Sequence, residues 1–310
     1  MKQLDDASGA VQVKFWGVRG SIPTPGQQTA KYGGNTSCVT VEGPDGAVYI
    51  LDAGSGLRVF GMSMVADGRL PMTAYLLLTH THWDHIQGLP FFIPAFIPGN
   101  RLNIYGSKAG DWELQEALAG QMSDRYFPVS MDVFGADLAF AHLDRGVHEL
   151  GAATVRSAPL NHPGNCMGYR LELAGCTVAA VWDEEPLGGP DDLTPNPNAL
   201  ELARGADVLI HDAQYTDKEY AEAKVGWGHS PLGYVVTTAI AAEVPRLVLF
   251  HHEPLHADTF LDAMVEEARE MAGEMGSDLE ITAAQEGIAI EIMPSNPEAI
   301  LSPSAVPGPS

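Results

Sequence analysis

Between Thr79 and His85 the chain reads Thr-His-Thr-His-Trp-Asp-His, which places three imidazoles and a carboxylate within six residues. Imidazole and carboxylate together suit divalent ions such as Zn, Mn or Fe. His80 and His82 stand at i and i+2, so on an extended segment their side chains point the same way. The chain then turns, which lets Asp84 and His85 serve a second ion beside the first. Six residues cannot close two coordination shells, so further ligands are expected from other strand ends. His162 lies in Pro159-Leu160-Asn161-His162-Pro163-Gly164, after a strand and before a Pro-Gly turn. Asp183 ends the apolar run Thr177–Trp182. A carboxylate there is costly to bury unless it is paired or metal-bound, and its two oxygens can bridge two ions. His251 and His252 leave the run Arg246–Phe250 together, and only one of them can face a site. His211 and Asp212 leave Val208–Ile210 in the same manner, and His229 sits in the Gly-rich loop Gly226–Ser230 ahead of a helix. His142, His148 and His256 have no such setting and read as surface positions.

The elements that position these residues are short apolar runs closed by Gly, Pro or Asp. Strands are predicted at Val11–Trp16, Cys38–Glu42, Ala47–Asp52 and Ala74–Thr79. A second set is predicted at Thr154–Ala158, Gly168–Leu173, Thr177–Trp182, Asp207–Ile210 and Arg246–Phe250. Helices are predicted at Asp111–Leu118, Ala199–Ala203, Asp217–Lys224, Pro231–Glu243 and Ala257–Ala272. In the last, Phe260, Leu261, Met264, Ala268 and Met271 recur at helical spacing and read as a core stripe. Two runs of strands with helices between and after them predict two packed sheets with helices outside, in one domain spanning residues 1–293. Gly99–Leu150 is less regular and reads as an insertion covering a site. No internal repeat is visible. Residues 294–310, rich in Pro and Ser, read as a disordered tail.

Of 310 residues, 17 are Lys or Arg and 40 are Asp or Glu, a formal net charge of −23. Non-specific binding of polyanions needs clustered cations, so this balance argues against nucleic acid as a partner. With 45% hydrophobic residues the chain can bury a core, which excludes global disorder. No apolar stretch approaches the roughly 18–20 residues of a membrane span. The acidic start MKQLDDASGA is not a secretory signal, and three cysteines cannot build a disulfide framework. Both features fit the cytoplasm. No Gly-x-Gly-x-x-Gly turn, P-loop or Gly-x-Ser-x-Gly elbow is present, so nucleotide-cofactor redox chemistry and serine hydrolysis have no support.

The His-x-His-x-Asp-His motif at 80–85, followed in order by His162, Asp183 and His251, resembles the metallo-β-lactamase superfamily over roughly Val11 to Thr259. The resemblance implies an α/β fold, an αββα sandwich of two mixed sheets flanked by helices, with a dinuclear metal site at one edge. It implies that His80, His82 and His162 hold one ion, that Asp84, His85 and His251 hold the other, and that Asp183 bridges them. His251-His252-Glu253-Pro254 resembles the superfamily's His-x-Ser-Pro element, whose first residue is the ligand, which favours His251. Leu209-Ile210-His211-Asp212-Ala213 resembles the Val-His-Glu-Ala-Thr element of the RNase Z and phosphodiesterase branch. Gly228-His229-Ser230 resembles that branch's His-Ser-Thr element. There the acidic residue orients the His, which assists phosphate cleavage; here Asp212 stands in place of Glu. The opening segments Trp16–Ser21 and Tyr32–Cys38 also look like this branch.

The expected activity is therefore dinuclear, metal-dependent hydrolysis of a small phosphodiester such as a cyclic nucleotide. Two ions about 3.5–4 Å apart share a water and bring its pKa near neutrality. Asp84 hydrogen-bonds the nucleophile, and His229, oriented by Asp212, donates a proton to the leaving alkoxide. The alternatives are another hydrolase of the fold, acting on a thioester, lactone or lactam, and an RNase Z-like RNA-processing nuclease. Arg19 is a candidate for substrate phosphate or a surface cation. The Gly33-Gly34-Asn35 turn is expected either to line the cleft or to be an ordinary β-turn. Cys166 reads as a small buried residue, and Trp83 is expected to pack under the site. Phe91, Phe92, Phe96 and Ile97 form an apolar cluster that is core, pocket wall or a dimer contact. A homodimer, the commonest closed assembly, is an option.

Overall fold

Short apolar runs need cover on both faces, and they obtain it by stacking. The computed structural model describes residues 9–108 and 113–294. The tail from 295 onward and the predicted helix start at Asp111 lie outside the described residues. In chain order the strands are β1 (Val11–Gly17), β2 (Cys38–Glu42), β3 (Val48–Leu51), β4 (Thr73–Leu77), β5 (Arg101–Gly106), β6 (Asp137–His142) and β7 (Gly146–Leu150). They continue as β8 (Ala153–Pro159), β9 (Met167–Leu173), β10 (Cys176–Val181), β11 (Val208–Asp212), β12 (Arg246–Phe250), β13 (Glu280–Ala283) and β14 (Ala289–Ile292). They form two seven-stranded mixed sheets, ordered β14-β1-β2-β3-β4-β5-β6 and β13-β12-β11-β10-β9-β8-β7.

The alternation of side chains along each strand divides the apolar residues between an inner and an outer layer. Val13 and Phe15 of β1, Val39 and Val41 of β2, and Tyr49 and Leu51 of β3 meet Tyr169, Leu171, Val178, Ile210 and Phe250 between the sheets. The other face of the first sheet packs Ile50, Leu76 and Ile104 against α1 (Gly56–Ala66), through Leu57, Phe60 and Met64. The short helices α2 (Trp83–Ile86) and α3 (Ile93–Phe96), and α4 (Leu114–Gln121), complete that layer. The second sheet packs Val181, Leu209 and Leu249 against α5 (Pro197–Ala203), α7 (Leu232–Ala241) and α8 (Asp258–Glu274). Between α5 and α7 lies α6 (Asp217–Glu219), closed by a capping box of Thr216 and Glu219. Burying one Val, Leu or Phe side chain stabilises by roughly 1.5–3 kcal/mol. Three such layers, rather than surface polar contacts, hold the αββα sandwich together.

The two sheets follow one path. Reading outward from β14 or β7, three antiparallel pairings precede three parallel ones in each. The segment β8–β13 thus retraces β1–β6. The repeat that is invisible in the amino-acid sequence exists in the topology.

Gly99–Leu150 is not an insertion. It carries β5 and β6 at the edge of one sheet and then β7 at the edge of the other. The edge strand β6 is half exposed and begins at Asp137, and its inner neighbour β5, though mostly buried, carries Arg101 and Asn103, so polar residues interrupt the apolar pattern of both. The same reason hides β13 and β14. The helix α1 escapes prediction because Gly56 and Gly61 lower its helix propensity, and burial of Leu57, Phe60 and Met64 overrides that. The predicted helix over Asp217–Lys224 is the capped turn α6 followed by a π-turn, Tyr220–Lys224. The stripe on α8 buries Leu261, Met264, Val265, Ala268 and Ala272, whereas Phe260 is left exposed.

Candidate metal centre

The loops leaving β4, β8, β10 and β12 converge at one edge of the sandwich. Past β4, His80 is buried, and His82 stays extended (φ −62°, ψ 152°) as the residue before α2. Their rings lie 4.2 Å apart. The first turn of α2 presents Asp84 and His85. His162, after β8, brings its ring within 4.9 Å of His80 and 5.1 Å of His82. Asp183, after β10, stands between two groups of donors. Its Oδ2 is 3.5 Å from Nε2 of His80, 3.5 Å from Nε2 of His162 and 3.3 Å from Nε2 of His85. Its Oδ1 is 3.3 Å from Nε2 of His251. Asp84 Oδ2 lies 3.2 Å from His85 Nε2 and 3.3 Å from His251 Nε2. Two sets stand on either side, His80, His82, His162 and Asp183 on one and Asp84, His85 and His251 on the other, and a third, overlapping set joins Asp183 and His251 to Asp212 and His229. The donor atoms within each set lie within 4.8 Å of one another.

The far nitrogens of the rings fix their orientation. Nδ1 of His85 meets Asp52 Oδ2 at 2.7 Å, that of His162 meets the Gly228 carbonyl at 2.8 Å, and that of His251 meets Gln214 Oε1 at 3.2 Å. His80 Nδ1 meets Thr79 Oγ1 at 3.1 Å, and that hydroxyl donates to Asp52. Acceptors behind the rings place the proton on Nδ1 and leave the Nε2 lone pairs pointing inward. His82 is reversed, with Nδ1 facing His162 Nε2 at 3.2 Å. Nε2 of His80, Nε2 of His85 and Oδ1 of Asp183 are buried with no hydrogen-bond partner. Buried acceptors converging without a donor repel one another unless a cation lies between them, so this N/O donor set fits divalent ions. Burial holds His80 well below the usual imidazole range, in the neutral form that ligates. For Asp183 and Asp84 burial acts the other way, but His251, His85 and their neighbours outweigh it and hold both carboxyls well below the usual range.

Asp52 is a functional residue that the sequence reading missed. Fully buried at the exit of β3, it accepts from Thr79 N, His85 Nδ1 and Trp182 Nε1, each at 2.7 Å. The available signal was the one that identified Asp183, a carboxylate ending a buried run. Asp52, Asp183 and His251 all adopt positive φ (61°, 58° and 58°). Such backbone costs about 1–3 kcal/mol per residue and persists where surrounding bonds over-determine it. Asp52→Asn keeps the size but turns one acceptor into a donor facing His85 or Trp182. It is expected to weaken metal binding by roughly 10–100-fold, measured by competition with a chelator.

On the other flank, His229 Nδ1 meets Asp212 Oδ2 at 2.7 Å, so the shorter Asp arm reaches its partner. Asp212 also accepts from Asp183 N and Gln214 N, at 3.2 and 3.0 Å. The His229 ring stacks on His251 with centroids 4.9 Å apart. Burial alone would lower the His229 pKa; Asp212, then Asp183 and Asp84, outweigh it and push it up to about 9. Glu184 and Glu185, also missed, tie this flank down. Glu184 accepts from Asn161 N (2.7 Å) and Tyr234 (3.2 Å), and burial raises its pKa to about 7. Glu185 accepts from Tyr220 and Gly228 N, each at 2.7 Å. Their signal was three consecutive carboxylates directly after an apolar strand. Gly228 has φ +87°, and a Cβ there would lie 2.2 Å from His162 Nδ1, so only glycine lets its carbonyl reach that ring.

Several expectations are corrected. Arg19 is fully buried and touches no site; it donates to the carbonyls of Gly33 (2.9 Å), Glu253 (3.1 Å) and His256 (2.7 Å). Its planar fork of donors cross-links two loops. The Gly33–Asn35 turn is held by Glu286, which accepts from Asn35 N at 2.6 Å. His256 is buried, paired with Glu219 at 2.9 Å and stacked on Phe260. His252 points away from the centre, toward the Ala284 carbonyl at 3.0 Å. His211 is buried against its own strand, outside both donor sets. Trp83 is 76% exposed, because the α2 turn that aims Asp84 and His85 inward aims it outward. Of the apolar cluster, Phe92 is core, while Phe91 and Phe96 are exposed.

Residues 48–252 match the family described as the Beta-lactamase superfamily domain. Ribonuclease Z of Synechococcus sp. (strain WH7803) is 27% identical over 293 residues, covering 80% of this chain and 86% of that protein. The crystal structure of the metallo-beta-lactamase fold protein YhfI from Bacillus subtilis matches with a TM-score of 0.65 at 17% identity, covering 91% of this chain and 99% of that one. Human tRNase Z, short form, matches with a TM-score of 0.59 at 20% identity, covering 91% and 99%. The relatives named Ribonuclease Z overturn the argument from charge against nucleic acid. Net charge sums the whole surface and does not report the local field at a site built to hold cations. No helix among the described residues is long and apolar enough to cross a membrane. With its family matched across the segment that carries both donor sets, the chain belongs to the β-lactamase superfamily and is a metal-dependent hydrolase of the metallo-β-lactamase fold.

Proposed function

We propose that this chain is a phosphodiesterase of the ribonuclease Z type, hydrolysing a phosphodiester bond of RNA at a dinuclear centre. The observation that carries the reading is the His229–Asp212 pair, 2.7 Å apart and stacked beside the donor sets. A thioester, whose thiolate departs without a proton, leaves that pair without a task. His80, His82 and His162 would hold one ion, Asp84, His85 and His251 the other, with Asp183 shared. Zn, Mn and Fe all accept these ligands. Bound ions supply a nucleophile at neutral pH and neutralise phosphoryl oxygens. Asp84, whose Oδ2 is positioned by the Ser21 amide at 2.7 Å, has its other carboxylate oxygen left to accept a hydrogen bond from the attacking water. As the new P–O bond forms and the old one breaks, His229 donates its Nε2 proton to the leaving alkoxide. Asp212 on Nδ1 holds the ring in that orientation and stabilises its charged form.

The test is cleavage of a precursor tRNA carrying a 3′ trailer by metal-loaded protein, run beside bis(p-nitrophenyl) phosphate. Cleavage of both is the expected result. Turnover of the small diester alone supports a second reading, a small-phosphodiester hydrolase. No turnover of either overturns both.

A further inference from the structure

The segment that carries the metal-facing residues also walls a cavity of about 700 Å³, shared with α4 and the residues that follow it. Four of the residues that line it are aromatic, Trp83, Phe91, Tyr126 and Phe127. Phe91 and Phe127 meet edge to face, centroids 5.4 Å apart, while Trp83 and Tyr126 are 76% and 71% exposed. None of the lining residues carries a charge. Thr81, Trp83, Ile86 and Gln87 come from the same segment as His80, His82, Asp84 and His85, so the cavity borders the segment that carries four of the metal-facing residues. The polar groups are the hydroxyls of Thr81 and Tyr126 and the amides of Gln87 and Gln121. Gln87 gives its amide nitrogen to Thr36 Oγ1 at 2.9 Å, whereas Gln121 Nε2 is buried with no partner. A buried amide N–H is a donor that lacks an acceptor. An aliphatic chain would fill the apolar space but leave this donor unpaired. A phosphate would find no cation among the lining residues. A heteroaromatic ring with an acceptor atom satisfies both the aromatic lining and the donor.

We propose that this cavity holds an unstacked nucleobase of the nucleotide flanking the scissile phosphate. The base stacks on Trp83 and Tyr126 and accepts a hydrogen bond from Gln121. The inference rests on the phosphodiesterase reading above and adds to it the group that the enzyme recognises next to the phosphate. Stacking on aromatic side chains tolerates every base, so the site selects for a base rather than for a sequence.

The test compares thymidine 5′-(p-nitrophenyl) phosphate with the 5-(p-nitrophenyl) phosphate of 1,2-dideoxyribose, which share a leaving group and a sugar and differ in the base. The wild type is expected to favour the nucleoside diester in kcat/KM by on the order of ten-fold or more. Tyr126→Ala and Gln121→Leu, neither at a metal-facing position, are expected to bring that ratio toward one. Equal kcat/KM values in the wild type, or a ratio that both variants leave intact, overturn the proposal. Thymidine, which offers the metal centre no phosphate, is titrated in parallel against metal-loaded wild type and both variants by tryptophan fluorescence. Saturable quenching that weakens in the variants is expected, and its absence in the wild type overturns the pocket. If neither diester is turned over yet thymidine binds and the variants weaken it, the phosphodiesterase reading fails and the base site stands.

Discussion

Asp183→Asn is expected to leave the protein with at most one tightly held divalent ion per chain. Diester hydrolysis should fall by at least roughly 10³-fold, because the water activation that ions supply at neutral pH is lost. Among the described residues, Asp183 is the one carboxylate that faces both donor sets, with Oδ2 toward His80, His162 and His85 and Oδ1 toward His251. Asparagine keeps the volume and one oxygen but puts an NH₂ group where a second acceptor stood. That group donates rather than ligates, and the charge that offsets two dications is gone. Metal analysis after dialysis checks the first outcome. Thermal unfolding checks it independently, since an ion that binds only the folded chain raises Tm by mass action. Added Zn should raise the wild-type Tm much more than that of the variant. Equal metal content and equal activity would remove Asp183 from the role of shared ligand.

His229→Ala is expected to slow cleavage of an RNA phosphodiester by roughly 10²–10⁴-fold, the usual worth of a positioned general acid. The loss should be far smaller with p-nitrophenolate as leaving group, since that anion departs without a proton. This contrast separates an acid from a residue that only packs. With a poor leaving group, the wild-type rate should fall as pH rises past the His229 pKa, pushed up to about 9 chiefly by Asp212 against the effect of burial. Asp212→Asn removes that charge while burial remains, so the fall should move to lower pH. Bound ions lower the starting value but leave the direction of this shift unchanged. A pH profile identical in wild type and Asp212→Asn would show that the pair does not govern proton donation.

Much of the centre is legible in the sequence because its residues sit at strand exits, where composition changes abruptly. Six residues holding three imidazoles and an aspartate cannot be background, and His162, Asp183 and His251 each follow an apolar run. Strand alternation also indicates that only one of His251 and His252 faces inward, and the structure turns His252 away. Asp52, Glu184 and Glu185 each end or follow an apolar run, but that signal does not separate a solvated acid from a buried one. Only the packing of Trp182, Tyr220 and Tyr234 around them decides it. Arg19 misleads for the matching reason: a lone cation in a Gly/Ser turn reads as exposed until three carbonyls are found around it. The fold class was readable from the two runs of strands. The edge strands were not, since half-exposed backbone tolerates the polar residues that erase a period of two. Net charge misled on partners, being a sum that carries no information on where charge lies.

The duplicated sheet path has a mechanical consequence. The first half of the chain contributes His80, His82, Asp84 and His85, and the retraced half contributes His162, Asp183 and His251. With the proposed ligand set, each ion draws ligands from both halves and ties together residues that lie far apart along the chain. Such a tie limits the freedom of the open chain most when the loop it closes is long. Cys38, Cys166 and Cys176 are all free and buried, so no disulfide among them does this work. The ions that activate the nucleophile would also be clasps between the halves, and neither clasp can fasten before both sheets have formed.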